Sequence, residues 1–423
     1  MAAHISRRTI LATGAGAAGL SLSGASAYAA GHAPSGVRFT LNAQVLDGGE
    51  QVTSLTLETA RLGPIDPAGL TTATFGVHAK GTRPFATGPD DGIVTDYDLD
   101  RTVTAARLDR NGNIVLELSH GEGRIGGSTL SYLADEGRNV MLDLTYTLTQ
   151  HAPIVLRDHR SVVIGKFVQN PRLSDPEVDA FSSHTSGSGM KYRLFSPADS
   201  HSSRRGRRPL IVWLHGGGEG ASLPDDYYDN EVTLRANRGA LGFATPEAQH
   251  VFGGAYVLAP QSTSYWMEDG PRFAPLIREI IDDVVRGNRI DRDRIYVAGC
   301  SNGGYMSMKM TALYPTLFAA SVPICGIVAP FQSDTPMIPD DELARISTPS
   351  WLVTSGDDPV VDPQANTVHA HDVIPGSLMT LYDHVVWNDH QYLGHYSWIY
   401  VARNDPGIDG THIWQWMAAR RRH

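Results

Sequence analysis

Between Gly36 and about Ile154 apolar and polar residues trade places in short runs such as "VRFTLNAQVL", "SLTLETARL", "TATFGVHA", "NIVLELSH" and "NVMLDLTYTLTQ". A period of two puts every second side chain on one face, so each run predicts a half-buried strand. Gly, Asp and Asn separate the runs, and the Asn-Gly pair in "DRNGN" (Asp109 to Asn113) is a hairpin signal. Residues 36–155 are therefore expected to form an all-β sandwich. This half carries no acid pair, metal cluster or nucleophile constellation, and chemistry is expected elsewhere.

After "QNPRLSDPEVDAFSSHTSGSG" the pattern changes. Near-continuous apolar runs, "PLIVWLHG", "AYVLAPQ", "RIYVAGC", "AASVPICG" and "SWLVTSGD", are interleaved with helical stretches such as "FAPLIREIIDDVVRGN". Strands that are apolar on both faces, separated by amphipathic helices, predict a mostly parallel sheet covered on both sides. The expected division is a linker with a first strand over residues 156–190 and an α/β catalytic domain over 191–423.

Length supports two domains, since 423 residues, 41% of them hydrophobic, exceed what one core usually organises. A formal net charge of −10 argues against a nucleic-acid partner, which normally requires a basic face. At the N-terminus, Arg7 and Arg8 precede an apolar run rich in Ala and Gly with small-residue cleavage options. This resembles a twin-arginine export signal over residues 1–30 and predicts a secreted protein. No later run is long enough to span a bilayer as a helix.

The candidate chemistry centres on "RIYVAGCSNGGYM". A strand stops at Gly299, Ser301 follows, and a helix opens with Asn302 and Gly303. This Gly-x-Ser-x-Gly context predicts a sharp strand-to-helix elbow that thrusts the serine hydroxyl over the sheet edge. Upstream, "IVWLHGGGEG" ends a strand in a glycine run. The amides of Gly217 and Gly218, with that of Asn302, are candidates for an oxyanion hole. Downstream, Asp357, Asp358 and Asp362 follow one strand, and His384, His390, His395 and His412 lie in or beyond the last. The order Ser, Asp, His is that of α/β hydrolases, but spacing leaves the particular acid and base open.

Trp266, after a strand end, and Tyr305, on the elbow helix, are candidates for lining the substrate pocket. Cys300 and Cys325 close successive strands at the same sheet edge, and an oxidising compartment would favour a disulfide between them. His369 and His371 stand without a third ligand at metal spacing, and no metal is expected.

The stretches "LHGGGEG", "RANRGALGFATPEAQ", "GCSNGGYM", "DPVVDP" and "GHYSWIYVARNDP" resemble a family of bacterial secreted serine esterases with an N-terminal immunoglobulin-like domain. That family is related to the polyhydroxybutyrate-depolymerase and feruloyl-esterase branch of the α/β hydrolases. The resemblance implies an α/β-hydrolase fold preceded by an immunoglobulin-like sandwich, an ester substrate, small or polymeric, and no cofactor. It also implies Asp358 as the acid and His395 as the base. A prolyl-oligopeptidase-like serine peptidase would share this machinery, and an inert binding protein would share only the fold.

Overall fold

The computed structural model describes residues 36–84, 96–133, 137–198, 206–221 and 230–422. The export segment expected at residues 1–30 lies outside the described residues.

The first half is built from two sheets. One has five strands in the order Phe167–Gln169, Val37–Leu46, Gly49–Leu57, Ile114–Leu118 and Val103–Leu108, and the other has three, Tyr97–Arg101, Phe75–Thr82 and Asp143–Gln150. Along Val37–Leu46 burial alternates residue by residue, as the period of two requires. Phe39, Leu41, Leu55, Leu57 and Leu116 of one sheet share a core with Val77, Ala79, Tyr146 and Leu148 of the other. A separate hairpin, Leu130–Leu133 paired with Arg138–Met141, stands apart from both sheets.

The domain division differs from the expectation. Phe167–Gln169 adds in parallel to the first strand of the β domain, so the stretch expected to be linker up to residue 169 is largely sandwich. The short strand Ser161–Val162, paired with Ile154–Val155, also falls there. Runs of two or three residues carry too little periodicity to be recognised.

The second half contains an eight-stranded sheet. Its order is Phe181–Thr185, Lys191–Phe195, Tyr256–Pro260, Arg208–Leu214, Ile290–Cys300, Ala320–Ile324, Trp351–Ser355 and Leu378–Tyr382. The first two strands run antiparallel at one edge and the remainder pair in parallel. Arg208–Leu214 is buried at every position, which is why it reads as a continuous apolar run. The long helix Gly270–Gly287 buries Phe273, Ala274, Ile277, Ile280, Ile281, Val284 and Val285 on one stripe. Aspartate 269 caps it, its side chain accepting from the Arg272 N–H.

The seam between the halves is charged. Arg235 pairs with Glu50 and Glu231, and Thr129 Oγ1 donates to Glu50 Oε2 at 2.6 Å. Arg238 donates to the Val45 carbonyl and to both oxygens of Glu177, each at 2.7 Å. Arg403 makes two bonds to Asp47, at 3.0 and 2.9 Å. The first-domain groups Val45, Asp47 and Glu50 all lie at one turn, between the first two strands of the sandwich. Burial pushes the Glu50 carboxyl up, while Arg235 and Thr129 pull it back.

Removing one partner of a buried pair strands the other charge without solvent, typically at about 3–5 kcal/mol. Arg235→Ala is therefore expected to lower the denaturation midpoint of the full chain markedly. An exposed control such as Arg345→Ala, whose Asp341 partner is also exposed, should leave it nearly unchanged. Equal midpoints for the two variants would show that the seam contributes little.

Candidate active site

Strand Ile290–Cys300 runs through the middle of the sheet and turns at Ser301 into helix Asn302–Leu313. Ser301 has φ 55° and ψ −116°, a conformation that costs a side-chain-bearing residue energy and persists only where its surroundings hold it. Two backbone bonds do so. Ser301 N–H donates to the Ile324 carbonyl at 2.8 Å, and Tyr305 N–H donates to the Ser301 carbonyl at 3.0 Å. The flanking glycines are there for space. A Cβ on Gly303 would sit 1.9 Å from the Leu214 carbonyl oxygen, and one on Gly299 would sit 2.5 Å from the Gly303 oxygen. The serine is left partly exposed, and among the described residues no hydrogen bond ties down its hydroxyl.

The two adjacent carboxylates Asp357 and Asp358 take different histidine partners. Asp358 Oδ2 lies 2.7 Å from His395 Nδ1. Its Oδ1 accepts from the backbone N–H groups of Val360 and Val361 at 2.8 and 3.0 Å. Both residues of the pair are buried. Asp357 turns the other way, accepting from Ser355 Oγ at 2.6 Å and pairing with the exposed His384 at 2.8 Å. His412 bonds the Asp405 carbonyl, Asp362 Oδ1 accepts from Ala365 N–H, and His390 lines a cleft of about 310 Å³ with Asp47, Glu122, Trp387 and Arg403. Burial disfavours a charged His395, but the Cys325 sulfur and the Asp358 carboxylate beside the ring outweigh it and hold its pKa above the ordinary imidazole range.

The glycine run lies beside the elbow. Gly217 and Gly218 open the short 3-10 turn Gly217–Glu219, and Asn302 opens its helix, so all three amides fall among the opening N–H groups that have no partner inside a helix. A Cβ on Gly217 would lie 3.6 Å from the Asn302 side-chain nitrogen Nδ2, which places the start of the elbow helix beside the glycine run. His215, fully buried, anchors the run at its start. Its Nδ1 bonds the Gly216 carbonyl at 2.6 Å, and its Nε2 accepts from Ser262 N–H at 3.0 Å. Burial, opposed by the Gly216 bond, pushes its pKa down to about 4, so the ring is neutral as this arrangement requires.

The expected fold agrees with known proteins. Residues 277–359, which contain Ser301 and Asp358, match the prolyl oligopeptidase family. The crystal structure of a thermostable esterase superposes with a TM-score of 0.71 at 26% identity, covering 91% of this chain and 99% of its own. The chain has the α/β-hydrolase fold. Among curated proteins, poly(3-hydroxyalkanoate) depolymerase C of Paucimonas lemoignei is 30% identical over 142 residues, covering 30% of this chain and 30% of its own length. The putative esterase NocK of Nocardia uniformis subsp. tsuyamanensis is 26% identical over 168 residues, covering 39% and 47%. The hydrolase thus spans less than half the length of these curated relatives.

Three expectations about neighbouring residues are corrected. Trp266 is fully buried, its ring against His215 at 4.7 Å and its Nε1–H donating to the His215 carbonyl at 3.1 Å. It supports the glycine run from behind, and among the described residues it has no exposed surface to offer a substrate. Tyr305 is likewise buried in the core of the hydrolase domain, with its hydroxyl against Gly270. The cysteines are free. Cys300 pairs in register with Ile324, so Cys325 stands one residue further on, and its backbone turns to φ 38°. Its Sγ is directed to the His395 carbonyl at 3.4 Å, whereas Cys300 packs beside Gly216. Among the described residues Cys325, Asp358 and His395 are the one trio of potential metal ligands, with ligand atoms within 4.8 Å of one another, and its Asp and His are already bonded together.

The free thiols give a direct check on the mature protein. Alkylation under denaturing, non-reducing conditions is expected to modify both cysteines, and reduction to leave the intact mass unchanged. A gain of about 2 Da on reduction, the two hydrogens added when a bridge opens, would contradict this placement.

Proposed function

We propose that this chain is an exported carboxylic-ester hydrolase that works through an acyl-enzyme on Ser301. His395 takes the serine proton as Oγ attacks the ester carbonyl carbon, and Asp358 holds the imidazole in orientation and stabilises its charged form. The oxyanion is met by the amides of Gly217, Gly218 and Asn302, each donor of this kind being commonly worth about 2.7–4 kcal/mol in the transition state. Collapse expels the alcohol with the proton from His395, and water releases the acid by the reverse sequence. The proton transfer needs a hydrogen bond from Ser301 to His395, of a kind that commonly forms only when substrate is bound.

The observation that carries the reading is a serine in a left-handed elbow bonded to Ile324, whose chain neighbour Cys325 is directed to the carbonyl of His395 in the buried Asp358–His395 pair. Support also comes from two curated relatives named for depolymerising polyhydroxyalkanoates and from the esterase structure that superposes over most of the chain. A second reading, a serine peptidase, is favoured by the prolyl oligopeptidase match. Comparison of p-nitrophenyl esters with peptidyl anilides separates the two, and a polyester film beside esters of increasing acyl length defines the substrate. The twin-arginine segment is the basis for proposing export.

Ser301→Ala is expected to lower ester turnover at least about 10⁴-fold and to abolish labelling by a fluorophosphonate, while the thermal melt barely moves. Retention of a tenth of the activity would remove Ser301 from the role. Labelling of the native protein also distinguishes an active hydrolase from an inert binding protein.

The surroundings of His395 set a second expectation. The base must be neutral, and a raised pKa keeps it protonated to higher pH. The acid limb of kcat/KM should therefore fall above the ordinary imidazole value of about 6.5. A limb centred at pH 6 or lower would contradict the assignment.

A further inference from the structure

A run of three glycines is a poor holder of two aligned amides, because each glycine has more backbone freedom to lose than any other residue. In this chain the run is pinned at both ends from within the hydrolase domain. His215 bonds the Gly216 carbonyl, Gln261 Nε2–H donates to the Glu219 carbonyl at 3.0 Å, and Ala221 N–H donates to the Ser262 carbonyl at 3.0 Å. The middle is different. The nearest atoms to a Cβ on Gly218 all belong to the first domain: Asn139 Nδ2 at 2.9 Å, and Tyr132 Cε2 and Cδ2 at 3.3 and 3.7 Å.

Tyr132 and Asn139 are directly opposite one another in the separate hairpin of residues 130–141, so they share one face of it. That face lies on the oxyanion run. Asn139 Nδ2 also donates to Glu219 Oε1 at 3.3 Å. Glu219 is buried, and its Oε2 has no hydrogen-bond partner among the described residues. The groups that interact electrostatically with Glu219 are His395 and Tyr396 on the histidine loop, Tyr132 on the hairpin and Cys300 below the elbow. Burial raises the Glu219 carboxyl to about 7. One buried side chain thus touches the β domain on one side and faces the candidate base on the other.

We infer that the hairpin of the first domain completes the active site: Asn139 and Tyr132 brace the Gly217 and Gly218 amides, and Glu219 is the positioning residue through which the brace acts. The inference rests on the serine-hydrolase reading above. None of the three side chains is required to touch the reacting atoms. They set where the amides stand when the oxyanion forms, and a displacement of about 1 Å at such a place costs up to about 100-fold. The β domain is then more than a spacer, and its charged seam with the hydrolase domain keeps the hairpin in register with the run it covers.

The test uses steady-state hydrolysis of p-nitrophenyl acetate by the full chain. Asn139→Ala and the isosteric Glu219→Gln are expected to lower kcat about 10- to 100-fold with KM within about threefold, because the lost interaction matters where charge develops. Phosphonylation of Ser301 should slow in parallel, since the phosphonyl oxygen uses the same amides. Tyr132→Ala should follow them, and Tyr132→Phe, which keeps the ring on Gly218, should restore kcat to within about twofold. Thermal melts close to that of the native protein show that each variant is folded. If Asn139→Ala and Glu219→Gln both keep kcat within about twofold, the brace is overturned while the hydrolase reading stands. A native protein that neither turns over esters nor reacts with the phosphonate overturns the hydrolase reading itself, and the brace with it.

Discussion

The site depends on one contact between backbones. Helix Asn302–Leu313 approaches the neighbouring strand so closely that the space of a Gly303 side chain is occupied by the Leu214 carbonyl. Gly304 meets the same limit from the other side, where a Cβ would sit 2.6 Å from the Ile324 carbonyl oxygen. Two glycines let the helix start directly over the carboxyl edge of the sheet, and the chain can reach that position only by a left-handed turn at the residue before. That residue is Ser301. Its strain is held by hydrogen bonds to Ile324 and Tyr305, so the hydroxyl's position follows from the packing of the sheet. The same closeness brings the start of the helix, through the Asn302 side chain, beside Gly217, because Leu214 and the glycine run belong to one continuous segment.

Around this rigid centre the supporting parts come from distant stretches of chain. The stretch "RANRGALGFATPEAQ" contains none of the proposed reacting groups. Its Arg235 and Arg238 reach the first domain at Glu50 and Val45. Guanidinium groups suit this task because their planar donors satisfy several acceptors at once, and both arginines engage carboxylates in addition to first-domain groups or neighbours. Burial makes such pairs sensitive to the loss of either partner, which favours a single arrangement of the domains. That arrangement lays the hairpin of residues 130–141 on the glycine run.

Much of this was legible in the sequence. The change from a period of two to continuous apolar runs marks two architectures, and the strands on either side of Ser301 lie where those runs predict them. The glycines around Ser301 and after His215 are readable because each answers a local steric demand. The choice between Asp357 and Asp358 is not local, since the two differ only in which way their side chains leave a turn. Trp266 and Tyr305 were misplaced for a related reason: an aromatic residue near a strand end packs inward or outward according to neighbours far away in sequence. The roles of Asn139, Arg235 and Glu219 were silent. They arise from contacts across the domain seam, and a single polar residue in a hairpin carries no periodic signal.

The two adjacent aspartates indicate how environment divides labour between identical groups. Asp357 is partly exposed, and its partner His384 is more exposed still, so their pair sits in solvent, where ion pairs contribute little. The Asp358 side chain has no exposed surface, and its carboxylate is held by two backbone amides besides His395. Those amides fix the direction of the carboxylate, so its second oxygen is left for a single task at the imidazole. An acid that must remain ionised opposite a ring that gains charge needs both conditions. Only one of the two turn positions provides them, and the same Asp-Asp pair would be chemically ambiguous on any backbone that failed to bury one member and solvate the other.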